Sequence, residues 1–219
     1  MDELHGLLVP RTLEEALADP RRVALLVYDM QVGILSQLAD RDRVLAGVRS
    51  VLEVGRAAEL RTIFARHITL PTELMGVSQL RMWRSWQQVP TAGDVLSAFP
   101  PDAAHAQLVP ELARTPREPV LEKITMSAFE GTWLDIALRD CGITTVVVVG
   151  VALEIGVELT VRHAADLGYI PVVVADACGA GDQGAGERSL QTLRFLGDAL
   201  ITDVNGFRAA LPPPTLSSS

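Results

Sequence analysis

Asp29 directly follows six apolar residues, Val23–Tyr28, and that placement gives it chemical interest. A carboxylate at the end of such a run is partly desolvated, which raises its pKa, while a nearby ammonium lowers it. Lys123, after Val120-Leu121-Glu122, can supply that ammonium. A carboxyl balanced between these two influences is a general acid or base suited to hydrolysis. A plainer reading is also open, in which Asp29 caps the next helix and Lys123 is a solvated charge. Other groups follow apolar runs in the same way: Gln31, His67, the string at 150–156, and Cys178. Arg81-Met82-Trp83-Arg84-Ser85-Trp86 holds two of the three tryptophans. It reads either as a lid offering Arg81 to a substrate carboxylate and Trp86 to its ring, or as an amphipathic packing helix.

These groups can act together only if the elements before them end in one place. The apolar runs at 23–28, 61–65, 120–122, 144–149, 170–175 and 198–201 are short and valine-rich, and the clearest of them do not alternate. That is the pattern of strands buried on both faces. Helical spacing fills 41–60, 131–140, 158–167 and 187–196. Strand alternating with helix predicts βαβ units and an α/β fold with a parallel sheet. Ligands in such sheets bind outside the carboxyl ends of the strands, so the residues above should share one rim. Residues 69–119, with prolines at 71, 90, 100, 101, 110, 116 and 119, show little regularity, and a stretch that long is often functional.

Composition narrows the partners. Nineteen Lys and Arg against 27 Asp and Glu leave a net charge of −8, an acidic surface that repels phosphate backbones, so nucleic acid is not an expected partner. With 219 residues, 48% of them apolar, the chain can bury one core. We expect an extension at 1–20, one domain at 21–208 and a loose tail at 209–219. The longest apolar run, 146–153, is too short to cross a bilayer, so no membrane partner is expected. Met1-Asp2-Glu3-Leu4 carries no basic start or apolar stretch of a secretory leader, which points to the cytoplasm. Cys141 and Cys178 form neither a disulfide framework nor a metal-ligand spacing.

Three strings stand in order: Asp29-Met30-Gln31, Lys123-Ile124-Thr125-Met126-Ser127-Ala128-Phe129, and Gly150-Val151-Ala152-Leu153-Glu154-Ile155-Gly156-Val157-Glu158-Leu159-Thr160. Together they resemble the isochorismatase-like hydrolase superfamily. The resemblance implies a three-layer α/β/α fold with a mostly parallel six-stranded sheet, assembled as a homodimer or homotetramer and needing no cofactor. It implies Asp29 as catalytic acid/base and Lys123 as its cationic partner. Gln31, Phe129, Val151, Ala152, Leu153 and Gly156 would then shape the substrate pocket, with Arg81 and Trp86 from the lid, while His67, by its place after the second apolar run, either faces that pocket or is a residue of the rim behind it. It also implies a non-proline cis peptide between Val151 and Ala152.

One position departs from the amidase branch of that superfamily. There a cysteine attacks the substrate carbonyl, within Gly-Val-Ala-Thr-Asp-Ile-Cys-Val-Glu; here Leu153, Glu154 and Gly156 stand for Thr, Asp and Cys. Losing the nucleophile costs roughly a million-fold in well-studied triads. The isochorismatase branch carries glycine there and cleaves a vinyl ether, which needs a general acid and a partly dry pocket. Ala152 departs from the tyrosine often found in that branch. The expectation is a hydrolase of a small carboxylate-bearing metabolite, by vinyl-ether cleavage through Asp29. An amidohydrolase using activated water or Cys178, and a non-catalytic binding protein, are the alternatives. The Asp-x-His metal pair of the superfamily's nicotinamidases is absent from Ala65-Arg66-His67, so no metal is expected. Gly179-Ala180-Gly181-Asp182-Gln183-Gly184 has the outline of a dinucleotide fingerprint, though a turn needing backbone freedom explains it more simply.

Overall fold

The computed structural model describes residues 1–212. A hairpin of β1 (Asp2–Leu4) and β2 (Leu7–Val9) precedes a short helix, α1 (Leu13–Ala16), whose carbonyl at Ala16 accepts a hydrogen bond from Thr145 Oγ1. The main sheet has the strand order β5-β4-β3-β6-β7-β8, all parallel. These are β3 (Val23–Tyr28), β4 (Arg61–His67), β5 (Val120–Lys123), β6 (Thr145–Val151), β7 (Ile170–Gly179) and β8 (Leu200–Thr202).

Every residue of β3 is buried because each face of the sheet is covered. Leu25 and Val27 face one layer, with Val44, Val48 and Val51 of α3 (Arg41–Ala57) and Phe207 of α8 (Val204–Ala210). Ala24, Leu26 and Tyr28 face the other, packed with α5 (Leu134–Asp140), α6 (Glu158–Asp166) and α7 (Gln183–Leu196). The expected three-layer α/β/α architecture is thus present. Among the described residues no helix is long and apolar enough to cross a membrane.

Two boundaries differ from the sequence reading. Residues 1–20 are not all an appendage, since Leu17 is fully buried in the core. At the other end Ala210 and Leu211 pack into that same core, and 213–219, the rest of the expected loose tail, lie outside the described residues.

The chain leaves β3 toward β4 on one side and later returns to β6 on the other, so connections diverge between β3 and β6. In an open parallel sheet that divergence opens a crevice at the carboxyl ends. The irregular 69–119 segment covers it. In that segment α4 (Val77–Gln87) accompanies short 3-10 turns, and Met75, Trp83, Val95, Phe99 and Ala106 build a separate small core, with α2 (Val32–Leu35), which follows β3, packed against the turn at Ala104–Ala106.

Candidate active site

Asp29 is the first residue past β3, and its φ of +47° turns the chain sharply out of the sheet. Aspartate tolerates this left-handed conformation better than most residues, at a cost of order 1 kcal/mol. Its amide donates to the Ala65 carbonyl of β4 (3.0 Å), which fixes the turn. Gly150, at the matching point of β6, has φ +120°, and a Cβ there would overlap the Tyr28 backbone, so β6 can pass β3 this closely only as glycine.

Lys123 ends β5, two strands away, and reaches across beneath the rim. Its Nζ donates to Asp29 Oδ2 at 2.7 Å and to the Thr125 carbonyl at 3.3 Å, and it stands 4.2 Å from the centre of the Tyr28 ring. Both charged groups are buried, and Asp29 Oδ1 has no hydrogen-bond partner. Burial raises the Asp29 carboxyl to about 6; the Lys123 charge opposes the rise and only partly offsets it. The same burial lowers Lys123 against the pull of Asp29. A carboxyl near 6 with one free oxygen can give or take a proton close to neutrality.

That carboxyl opens on a cavity of about 490 Å³ whose wall is mostly apolar and aromatic, with Trp83, Trp86, Phe99, Met126 and Ile155 prominent. His67 stands at its edge, with ring centres 6.0 Å from Trp83 and 6.2 Å from Phe99. Burial, reinforced by the Lys123 charge, lowers His67 to about 3, so its imidazole is neutral at pH 7. No cysteine, serine or threonine, and no arginine, is on the wall among the described residues.

Of the residues expected in the pocket, Asp29, His67, Trp86, Val151, Ala152 and Gly156 line it, and Lys123 holds Asp29 from behind. Four do not line it. Gln31 is a buried clamp: its Nε2 donates to the carbonyls of His67 (2.9 Å) and Ala106 (2.8 Å), and its Oε1 accepts from the His67 amide (2.6 Å). Arg81 is exposed on the outer face of α4, beside Arg84 and Gln88. Phe129 stacks on Tyr169 at 5.8 Å, and Leu153 packs in the core layer of α5 to α7. Tyr28, Trp83, Phe99 and Met126 line the cavity without having been singled out for it. Trp83 could have been found, since it lies three residues before Trp86 on one helical face. Phe99 carries no local signal; its placement depends on the paired bonds between Thr69 and Phe99 (2.9 Å and 2.8 Å).

Cys178 is off the wall, and burial pushes its thiol up to about 12, which removes it as a nucleophile. The glycine string after β7 is likewise committed elsewhere. Glu154 Oε1 accepts from the amides of Gly181 (2.8 Å) and Asp182 (3.0 Å), so a carboxylate already occupies the donors a pyrophosphate would need. The Val151–Ala152 peptide is cis. No group of three or more His, Cys, Asp or Glu residues among those described is placed to hold a metal.

A parallel α/β/α sheet with a buried carboxylate–ammonium pair at its switch point defines a hydrolase-type site with no evident thiol. The Isochorismatase domain matches residues 23–204, and the chain belongs to that family of hydrolases. It is 31% identical over 229 residues to ureidoacrylate amidohydrolase RutB of Serratia proteamaculans, spanning 95% of this chain and 90% of that one. It is 30% identical to nicotinamidase 3 of Arabidopsis thaliana, over 92% and 96% of the two chains. An isochorismatase family structure from Burkholderia thailandensis superposes with a TM-score of 0.71 at 31% identity, covering 87% of this chain and 96% of that one.

Proposed function

We propose that this hydrolase cleaves a small uncharged enol ether by proton transfer from Asp29, with water as the attacking group and no covalent enzyme intermediate. The observation that carries this reading is the buried Asp29 on the wall of an apolar cavity, with Oδ2 held by Lys123 and Oδ1, itself buried, without a hydrogen-bond partner. Protonated Asp29 delivers its proton to the terminal methylene carbon, giving an oxocarbenium ion. Water adds to that ion, the ionised carboxylate takes a proton back from the water, and the hemiacetal collapses to an alcohol and a carbonyl compound. With a pKa about 6, on the order of a tenth of the enzyme holds the proton at pH 7.

The carboxylate expected on the substrate would find no free cation here. Lys123 is committed to Asp29, and Arg81 stands outside the cavity. A carboxylate pressed against Trp83 and Phe99 would be desolvated without a partner. The reading therefore narrows to an uncharged, planar molecule stacked between aromatic side chains.

A second reading is favoured by the amidohydrolase names of the relatives. In it ionised Asp29 acts as a base, activating water for attack on an amide. The two make opposite demands on Asp29, so one experiment separates them: follow acetaldehyde from phenyl vinyl ether, ammonia from benzamide and pyruvate from isochorismate, with wild type and Asp29→Asn. The enol-ether reading expects acetaldehyde from phenyl vinyl ether well above the pyruvate rate, lost in Asp29→Asn. Turnover of benzamide alone, or a rate untouched by Asp29→Asn, overturns it.

A further inference from the structure

Gly156 lies in the turn before α6, and the space where its side chain would stand is already occupied. A Cβ there would overlap the Tyr28 hydroxyl and fall 2.6 Å from ring atom Cε1, closer than real Cβ atoms come. Tyr28 is not free to swing aside. It is 1% exposed, its hydroxyl donates to the Met126 carbonyl, and its ring lies under the Lys123 ammonium. Burial, reinforced by the Asp29 charge, keeps the phenol un-ionised by raising its pKa well above 10, so it is itself no nucleophile at neutral pH. Yet Tyr28 and Gly156 both line the cavity next to Asp29.

We propose that Tyr28 determines the reaction class of this site: its phenol fills the room from which any side chain at position 156 would reach the substrate, leaving water as the attacking group. The inference rests on the proton-transfer reading above and supplies its steric reason. A large residue ending β3 and a glycine opening the α6 turn form one size-matched pair. A functional group at 156 is therefore admitted only when Tyr28 is shortened.

The test needs no turnover, so it stands apart from any failure of the proposed reaction. Melting temperatures are measured for Gly156→Ala in wild type, in Tyr28→Phe and in Tyr28→Val. The added methyl should lower the melting temperature by about 5–10 °C in the first two backgrounds, because the ring remains in both. It should cost little with valine. Should Gly156→Ala alone fail to fold, a folded Tyr28→Val/Gly156→Ala protein gives the same answer. An equal loss in all three backgrounds, or no loss in wild type, overturns the proposal. Labelling gives a second readout: the thiol introduced by Gly156→Cys should react with iodoacetamide in native Tyr28→Val protein and stay unlabelled in native protein that keeps Tyr28. Equal labelling in both contradicts it.

Discussion

Asp29 and Lys123 are two buried charges that offset each other, and their substitutions should differ in kind. Asp29→Asn keeps the shape and removes the titrating group, so kcat/KM should fall about 10²–10⁴-fold, and the melting temperature should fall as well because the buried Lys123 ammonium loses its anion. Lys123→Met leaves a buried carboxyl without its cation. Stability at pH 8 should fall by about 3–5 kcal/mol in urea titrations, and by much less at pH 5, where Asp29 is protonated. His67 behaves in the opposite sense to Asp29. The Asp29 pKa is raised, so its contribution to stability is full below about pH 4 and lost as pH rises through about 6. The His67 pKa is lowered to about 3, so its contribution is full above about 6.5 and fades as pH falls. His67→Gln should accordingly flatten the loss of stability between about pH 6.5 and 4, read from the urea midpoint. Asp29 and Lys123 were legible in the sequence because each ends an apolar strand. Tyr28 was not, since nothing local distinguishes a phenol inside the pocket from the last apolar residue of β3.

The element that most changes the picture is α4. Seven prolines between 71 and 119 gave that segment an irregular look, and a helix of 11 residues lay inside it. Trp83 is buried between His67 and Phe99, while Trp86 meets it edge-on at 5.2 Å and remains half exposed at the cavity mouth. Trp86→Ala should therefore raise KM several-fold with kcat kept, whereas Arg81→Ala, on the outer face, should alter neither. Loss of activity in the arginine variant would revive a carboxylate-binding lid. Gln31 shows the complementary case, a polar residue at the rim whose work is structural. It ties β4 to the turn at Ala104–Ala106 through three hydrogen bonds, and Gln31→Leu should destabilise by about 2 kcal/mol or more in the same titrations. The strand ends were also longer than the apolar pattern suggested. β6 runs to Val151 and β7 to Gly179, with a register shift between Val148 and Gly150, because the two strands stay paired as far as Val151 and Gly179.

At the scale of the whole molecule, strand alternating with helix was enough to anticipate the parallel sheet and the rim on which the candidate site lies. The strand order puts β3 and β6 at the centre, and their carboxyl ends deliver Asp29 and the Val151–Ala152 turn to one crevice. What the sequence could not carry is the chemistry of the cavity wall, since Trp83, Phe99 and Met126 come from separate elements brought together only by folding. That wall is mostly apolar and, among the described residues, carries no free cation, which is the ground for proposing an uncharged substrate. The most direct measurement is the pH dependence of kcat/KM for phenyl vinyl ether between pH 4.5 and 8.5, alongside Asp29→Asn. Proton donation by Asp29 predicts a rate that falls about tenfold per unit above pH 6 and is abolished by the asparagine. A rate that climbs through pH 6, or one that persists in Asp29→Asn, contradicts it.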